Sequence, residues 1–402
     1  MIGQFDGHVP GAASDTSAPE CAPERDGPLA TRVNNGATPS VGIPRPGLAQ
    51  QLHESLNNPN ALPGYSVGPV IGEGGFCKVR LGTHLVSGEK VAIKVIDKTR
   101  LTDPTDRKRV AREIKVLKKL NQQSNIIRLL EVGEASSRIH VIMEHASGGT
   151  LLDHVRKKKR LPEPEARDCL RQILVGLTYC HAQGVIHRDI KLENLLLTAD
   201  RQMKIIDFGL SAILVPGKKL RVHCGSPSYA APEIVSRQLY DGPPVDVWSL
   251  GVVLFAMITG YLPFHASGSN KDELCQKIIA GVYKTPDWIS DESKDLLRGM
   301  LTTDPRRRLT LEQVADHPWV RGKSVPCWRL PGLPTELECR PPLDPAILNC
   351  ISKRIDTQSL SESILRGEHT YFTATYHLLA TRAQSDRRRA YGEPDRPPLV
   401  AS

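Results

Sequence analysis

Hydrophobic positions are unevenly spread along the chain, and their spacing divides it into segments of different character. Residues 1–60 are rich in Pro, Gly, Ala, Ser and Asn and show little periodicity. Because such a segment buries too little apolar surface to offset the entropy of ordering, we predict a disordered N-terminal tail. From Tyr65 onwards, short apolar runs separated by turn residues indicate strands, and longer runs with helical spacing follow.

Three longer segments have the pattern of helices. Residues 107–120 and 165–183 each place apolar side chains on one helical face. The run 247–264 is apolar enough to be mistaken for a membrane span. Because it is a lone segment and contains the polar residues Ser249 and Thr259, we predict a buried core helix and no membrane span.

A Pro-rich stretch, residues 322–342, is predicted to be a linker to a C-terminal region of three short amphipathic helices at 343–381. The first helix is predicted to begin at Asp344-Pro345, because Asp is a good N-cap and Pro fits the first helical position. Residues 383–402 are predicted to be a polar tail.

Composition narrows the class of protein. At 402 residues the chain is long enough for one large or two domains with tails. Apolar and charged fractions of 40% and 24% are ordinary for a globular protein, and the net charge of +9 is modest at this length. No basic patch is interleaved with aromatic residues, so we expect no nucleic-acid partner. The nine cysteines are scattered without a C-x-x-C pair, which favours reduced thiols in the cytoplasm or nucleus.

The densest cluster of chemical groups is His187-Arg188-Asp189-Ile190-Lys191-Leu192-Glu193-Asn194, followed by Asp207-Phe208-Gly209. Asp189 can accept the proton of an attacking hydroxyl, and Lys191 can balance charge on a transferring phosphoryl group. Asn194 and Asp207 offer oxygen ligands, which Mg²⁺ prefers. Two short apolar strands, 195–197 and 203–206, lie between the two motifs and predict a hairpin that brings them to one edge. The alternative is an ordinary surface hairpin with polar residues.

A glycine-rich segment near the start of the ordered region, residues 71–79, allows the backbone to approach phosphates closely. Taken alone, the segment is weak evidence, and an ordinary hairpin is the better interpretation. The next predicted strand carries Lys94, which can reach the α- and β-phosphates of a nucleotide. Glu113, on the predicted helix 107–120, is placed to pair with Lys94. The alternative is that Glu113 is one charge on a basic helix.

Together, these motifs resemble those of a eukaryotic Ser/Thr protein kinase over residues 65–321. The segment 224–233 resembles the AMP-activated-kinase-related branch in particular. The resemblance implies an α+β, two-lobed fold, with a mainly β small lobe carrying one long helix and a larger helical lobe. It implies ATP and Mg²⁺ as cofactors and protein Ser/Thr hydroxyls as acceptors, since Lys191 and Gly225-Ser226-Pro227 are typical of Ser/Thr kinases.

The resemblance also assigns roles to single residues. Asp189, Lys191 and Asn194 are expected to be catalytic, and Asn194 and Asp207 to hold the metal. Met143 is expected at the gatekeeper position and Glu144 and Ala146 in the adenine-binding hinge. The full set expected to bind ATP comprises Ile71, Gly72, Glu73, Gly74, Gly75, Phe76, Cys77, Lys78, Val79, Ala92, Lys94, Glu113, Met143, Glu144, Ala146, Leu196 and Asp207. Glu233 is expected to pair with Arg308, and Asp246 to hydrogen-bond the catalytic loop.

Region 343–381 resembles the ubiquitin-associated-like domain that follows the kinase domain in this branch, and we expect it to brace the kinase domain rather than bind ubiquitin. Three positions depart from the family pattern. Cys77 replaces the third glycine of the phosphate loop, Thr150 stands where relatives often carry Glu, and Val222 stands where relatives carry a phosphorylated Thr. Cys77 and Val222 favour the alternative to an enzyme, a catalytically inactive kinase-fold scaffold.

Overall fold

The computed structural model describes residues 62–121, 123–215, 217–266, 270–322, 328–332, 343–351 and 355–390, with side chains described to residue 387. The tail predicted at 1–60, most of the predicted linker 322–342 and residues 391–402 lie outside the described residues.

The small lobe is a five-stranded antiparallel sheet with one long helix. Its strands are β1 (Tyr65–Glu73), β2 (Cys77–His84), β3 (Lys90–Asp97), β4 (Leu129–Glu134) and β5 (Arg138–Glu144), in the order β1-β2-β3-β5-β4. Helix α1 (Pro104–Leu120) begins after Asp103, whose carboxylate accepts a hydrogen bond from the Thr105 amide. Its buried apolar residues Val110, Val116, Leu117 and Leu120 face the core.

The large lobe is mainly helical. It contains α2 (Leu151–Lys158), α3 (Glu163–Ala182), α4 (Pro232–Val235), α5 (Gly242–Thr259), α6 (Lys271–Ala280), α7 (Asp291–Met300), α8 (Leu311–Asp316) and α9 (Pro318–Arg321). Two small sheets lie among these helices: β6 (Val185–Ile186) pairs with β9 (Ala212–Ile213), and β7 (Leu195–Leu197) pairs with β8 (Met203–Ile205). The β7–β8 hairpin is the one predicted from the apolar runs on either side of its turn.

Helix α5 is the core helix of the large lobe. It is long and apolar enough to cross a membrane, but 89% of it is buried inside the protein. Trp248 of this helix is fully buried and stacks on Phe264, with ring centroids 5.5 Å apart. The apolar run is therefore accounted for by burial within the lobe, as the sequence predicts.

A buried ion pair closes the large lobe at the end of the activation segment, the name we give to the chain between Asp207 and Glu233. Arg308 donates to both carboxylate oxygens of Glu233, at 2.8 and 2.9 Å. The Arg308 side chain is 0% exposed and that of Glu233 is 4% exposed. The pairing inferred from the family resemblance is thus present and bidentate.

The C-terminal region contains α10 (Pro345–Ile351), α11 (Thr357–Leu365) and α12 (Tyr371–Ala390). The Asp344 carboxylate accepts from the Ala346 amide at 2.9 Å, which matches the predicted start of the first helix. Helix α12 differs from the prediction because it runs beyond 381 into the segment predicted to be a polar tail. Local pairs such as Arg382 with Asp386, and the contact of Arg387 with Asp344, support this polar extension.

The two-lobed α+β architecture predicted from the sequence is confirmed. The main hydrophobic core contains residues of both lobes, including Leu117 and Leu129 of the small lobe and Phe208 of the large lobe. The His187 ring contacts Phe208 edge-on, with centroids 4.8 Å apart. The catalytic motifs therefore lie at the junction of the lobes, where residues from both lobes fix their position.

We predict that Glu233→Gln lowers the free energy of unfolding by about 3 kcal/mol or more, because it leaves the buried Arg308 guanidinium without a counter-charge. Urea denaturation followed by Trp fluorescence measures this change. The matched control is Asp295→Asn, whose partner Arg298 is 74% exposed. We expect that control to change stability by about 1 kcal/mol or less. Equal effects of the two substitutions would contradict the role given to the buried pair.

Candidate active site

The Asp189 carboxylate is the centre of the site and is almost fully buried, at 6% exposure. One of its oxygens accepts from Lys191 Nζ at 2.7 Å and from the Asn194 amide at 3.0 Å. The other accepts from the backbone amide and the hydroxyl of Ser226, both at 3.1 Å. Lys191 also donates to the Ser226 hydroxyl at 2.9 Å. The structure thus brings the three predicted catalytic residues together and adds Ser226 to them.

Asp246 of α5 fixes the loop that carries Asp189 through hydrogen bonds to the loop backbone. Its carboxylate, fully buried, accepts from the backbone amides of His187 and Arg188 at 2.9 and 2.8 Å, and from His181 Nε2 at 2.8 Å. Burial opposes ionisation of Asp246, but the hydrogen bonds and positive charge around it prevail and lower its pKa. Arg188 adopts a left-handed backbone conformation, φ 67°. The two hydrogen bonds from the backbone amides to Asp246 hold this conformation in place.

Lys94 lies on the central strand β3, and its ammonium contacts the Glu113 carboxylate of α1 at 2.5 Å. The predicted ion pair is therefore present. Burial works against the charge of Lys94, but Glu113 and Asp207 outweigh burial and raise its pKa. Lys94 is thus a fixed cation that faces two carboxylates, a suitable partner for phosphate oxygens.

Strand register shows which side chains share a face of the small-lobe sheet. Lys94 is directly opposite Val79, and Ala92, two residues earlier on β3, is opposite Met143. Because cross-strand partners and alternate residues point to the same side, these four side chains face the same way. Leu196 comes from the large lobe, in β7. The sheet thus supplies one apolar face that ends at Lys94, which suits an adenine ring followed by phosphates.

The glycine-rich segment forms the connection between β1 and β2. β1 includes Ile71, Gly72 and Glu73, the turn is Gly74 to Phe76, and β2 starts at Cys77. The Gly74 amide donates to the Cys77 carbonyl at 2.9 Å. Burial raises the pKa of Cys77, so its thiol stays protonated beside Lys94. The replacement of the third glycine by Cys77 therefore leaves the hairpin intact.

At the predicted hinge, the Glu144 side chain contacts both lobes, through the residue before β4 and through Lys204 of β8. It accepts from the Arg128 amide at 2.8 Å and from Lys204 Nζ at 2.7 Å. The partnership with Lys204 was missed from the sequence because no local motif links residues 60 positions apart. Binding of adenine by the backbones of Glu144 and Ala146 stays a prediction.

The donor groups of Asn194 and Asp207 suit a hard cation. The Asn194 nitrogen is committed to the carbonyl and carboxylate of Asp189, at 2.9 and 3.0 Å, which leaves its amide oxygen as the ligand atom. Asp207 is exposed, and its recorded hydrogen bond is a long one from the Gly209 amide, at 3.3 Å. Carboxylate and amide oxygens are ligands that Mg²⁺ accepts. These two residues therefore fit the predicted metal site.

Taken together, the site contains a carboxylate that can accept a proton, an ammonium beside it, a second paired ammonium and two oxygen ligands for a cation. This set can align a nucleotide phosphate with a hydroxyl and neutralise the charge that moves between them. The geometry is that of a protein kinase catalytic centre.

Comparison with known proteins gives the same class. The family model described as protein kinase domain matches residues 65–320. The chain therefore belongs to the protein kinase domain family.

Two relatives indicate the branch. The chain is 47% identical over 275 residues to a protein named "Probable serine/threonine-protein kinase MARK-A" in Dictyostelium discoideum, an alignment that covers 68% of this chain and 25% of the relative. It is 42% identical over 334 residues to the maternal embryonic leucine zipper kinase of Danio rerio, covering 81% of this chain and 48% of that relative. The chain thus spans about a quarter and about half of the length of these two relatives.

We predict that Lys94→Met, Asp189→Asn and Asp207→Asn each reduce phosphate transfer by about 10²–10⁴-fold, because each removes a charge or proton acceptor that acts on the reacting groups. Initial rates with Mg-ATP measure this loss, and circular dichroism checks that each variant is folded. Asp200→Asn, an exposed acid in the turn of the β7–β8 hairpin, is the matched control and should retain the wild-type rate. Wild-type turnover in any of the three site variants would contradict the assignment.

Proposed function

We propose that the chain is a Ser/Thr protein kinase that transfers the γ-phosphoryl group of Mg-ATP to hydroxyl groups of proteins. The observation that carries this proposal is the shared contact of Lys191 with Asp189 and Ser226, at 2.7 and 2.9 Å. A proton acceptor and a cation then lie within one hydrogen bond of each other, at the position where an acceptor hydroxyl would meet the phosphate.

Each residue has a distinct part in this reaction. Asp189 accepts the proton of the acceptor hydroxyl as that oxygen bonds to the γ-phosphorus, while the bond from that phosphorus to the bridging oxygen breaks and ADP leaves. Lys191 balances the negative charge on the transferring group. Lys94, held by Glu113, positions the α- and β-phosphates. Asn194 and Asp207 would hold Mg²⁺, which when bound neutralises charge on the phosphate oxygens. Most of the rate comes from alignment and electrostatics. The hydrogen bonds that fix the loop carrying Asp189 therefore matter as much as the catalytic side chains.

The relatives support placing the chain in the AMP-activated-kinase-related branch. We propose a role in intracellular signalling, with protein Ser/Thr hydroxyls as acceptors. We also propose a cytoplasmic or nuclear location. Free thiols are the support for that location: Cys77, Cys169, Cys180, Cys224, Cys275 and Cys350 are all unpaired.

The alternative of an inactive scaffold predicts that some catalytic group is missing or displaced. Among the described residues, every predicted catalytic and phosphate-positioning group is present, and the Lys94–Glu113 pair is formed. This observation favours an enzyme.

We predict that the purified chain transfers phosphate from Mg-ATP to peptides with Ser or Thr acceptors, but not to matched Tyr peptides, on a peptide array. Thr150 is the N-cap of α2 and forms a capping box with Asp153, so it supplies no charge to a substrate. We therefore expect only weak selection, about threefold or less, for a basic residue upstream of the acceptor, an effect that one partly screened Glu193 can support. Asp189→Asn serves as the inactive reference. Silence of the wild type, together with stabilisation by ATP, would favour the scaffold instead.

We propose further that the C-terminal region is a ubiquitin-associated-like domain that braces the small lobe. Its helix α12 supplies the contacts. The Tyr371 ring lies 5.9 Å from Tyr65 and 5.3 Å from His84, and Thr375 Oγ1 shares a 3.0 Å hydrogen bond with His84 Nε2. Burial lowers the pKa of His84 to about 4, so this ring is neutral at pH 7.

Apolar contacts of α12 support the same proposal. Ala374 and Leu378 belong to one buried cluster with Val91 and Ile93 of β3 and Ile142 of β5. Those strand residues face away from Lys94 and its apolar face, because they occupy the alternate positions. The helix therefore covers the outer side of the same sheet that carries the phosphate-positioning lysine.

We predict that Leu378→Asp lowers the melting temperature by about 5 °C or more, because it places a charge against buried apolar residues of the small lobe. Differential scanning fluorimetry measures this shift. Gln384→Asp is the control on an exposed position of the same helix and should change the temperature by less than about 2 °C. An unchanged melting temperature for Leu378→Asp would mean that the helix does not brace the lobe.

A further inference from the structure

The middle of the activation segment lies beside the chain that precedes α5. The amide of Leu220 donates to the carbonyl of Tyr240 at 2.9 Å, and the amide of Tyr240 donates back at 3.2 Å. Two further bonds follow: the Tyr240 hydroxyl donates to the Val222 carbonyl at 2.8 Å, and the His223 ring contacts the Gln238 carbonyl at 2.9 Å. Residues 220–223 are therefore held along residues 238–240 by four hydrogen bonds.

Arg188 ties this held part to the beginning of the activation segment. Its guanidinium donates to the Leu210 carbonyl at 2.7 Å and to the Ser211 carbonyl at 3.3 Å. It also donates to the Val222 carbonyl at 3.3 Å and to the Tyr240 hydroxyl oxygen at 3.2 Å. In the described part of the chain, each acceptor recorded for this largely buried cation is a neutral oxygen.

These contacts reach Asp189 through the residues that follow Val222. Gly225 has φ 111°, a conformation that side chains rarely adopt, and a Cβ there would lie 2.8 Å from the Arg188 carbonyl. The chain thus passes directly over the catalytic loop at Gly225. The next residue, Ser226, donates to Asp189. Displacement of residue 222 would move the contacts on which the proton acceptor depends.

The carbonyl of Val222 is hydrogen-bonded within the protein, whereas much of the residue is exposed to solvent. Its carbonyl points to Arg188 and Tyr240, while the residue is 60% exposed and its side chain offers no hydroxyl. A phosphate at this position would bind a guanidinium through charge-assisted hydrogen bonds. Valine cannot carry one, so the guanidinium needs other acceptors if the segment is to be held.

We propose that Tyr240 is a positioning residue whose hydroxyl binds the Val222 carbonyl and the Arg188 guanidinium together, and so orders the activation segment without a phosphate. The expected effect of Tyr240 on the rate of phosphate transfer rests on the proposed kinase function. The expected effect on the order of the activation segment does not. Tyr240 acts through Arg188 and Val222, and it does not touch the reacting groups.

The hydroxyl suits this role because it both donates and accepts. It donates its proton to the Val222 carbonyl and receives one from the guanidinium. Burial raises the pKa of Tyr240, while the neighbouring Arg188 opposes the rise, so the hydroxyl keeps its proton at neutral pH. A phenyl ring keeps the packing and loses both bonds, which makes Tyr240→Phe the sharpest substitution.

The test uses the full chain made in bacteria and treated with phosphatase. For Tyr240→Phe we expect kcat for a Ser peptide to fall about tenfold, the scale of lost hydrogen bonds in a charged network, and KM for ATP to stay within about twofold. Trypsin cleavage after the exposed Arg221 should become about tenfold faster, because cleavage follows the population of the released segment. The melting temperature should change by less than about 2 °C.

Tyr283→Phe is the control, because in the described part of the chain its hydroxyl has no recorded hydrogen bond, while its ring packs edge-on against Phe255. It should match the wild type in rate and cleavage. A second arm adds Tyr240→Phe to Arg188→Gln. Because the bond from Tyr240 to the Val222 carbonyl is still present in that background, the second substitution should still accelerate cleavage, but clearly less than the tenfold expected with Arg188 in place.

The outcomes separate the two proposals. Wild-type rate and wild-type cleavage in Tyr240→Phe would overturn the role of Tyr240. Full, independent effects in the Arg188→Gln background would also overturn it. If the wild type transfers no phosphate, the proposed function fails, but the cleavage comparison still decides whether Tyr240 holds the segment.

Discussion

The buried carboxylate of Asp246 is the constraint on which the catalytic half of the molecule depends. A charge without access to water must be fully paired, and here the backbone amides of His187 and Arg188 and the ring of His181 supply the partners. Two successive amides directed at one carboxylate fix the backbone at the catalytic loop. The Asp189 carboxylate is consequently held at the candidate active site, and the Arg188 guanidinium is held against the activation segment.

The activation segment contacts both Arg188 and Asp189. Its first part contacts Arg188 through the carbonyls of Leu210 and Ser211, and its middle through Val222. Its later part reaches Asp189 through Ser226, and its end is closed by the Glu233–Arg308 pair. Neutral carbonyls individually bind a guanidinium less strongly than a phosphate does, but several of them act here at once. In the small lobe, Glu113 contacts Lys94 on one side of β3, and helix α12 packs on the other side.

Much of this arrangement could be predicted from the sequence because it is encoded in local patterns. The hairpin 195–206, the pairing of Lys94 with Glu113 and the cluster around Asp189 all follow from motifs with fixed spacing. Tyr240 could not be predicted in this way, because its partner Arg188 is 52 positions distant and its own neighbours form no chemical motif. The extension of α12 to Ala390 was also missed, since a helix held by charged pairs lacks the apolar period of the preceding turns.

We expect the catalytic centre to be complete without a phosphate on the activation segment. The most direct measurement is the initial rate of peptide phosphorylation by one bacterial preparation before and after phosphatase treatment, with intact mass confirming that no phosphate remains. The two rates should agree within about twofold, since neutral oxygens already satisfy Arg188. A loss of tenfold or more on dephosphorylation would contradict the account, and the lost phosphate would then identify the residue that orders the segment.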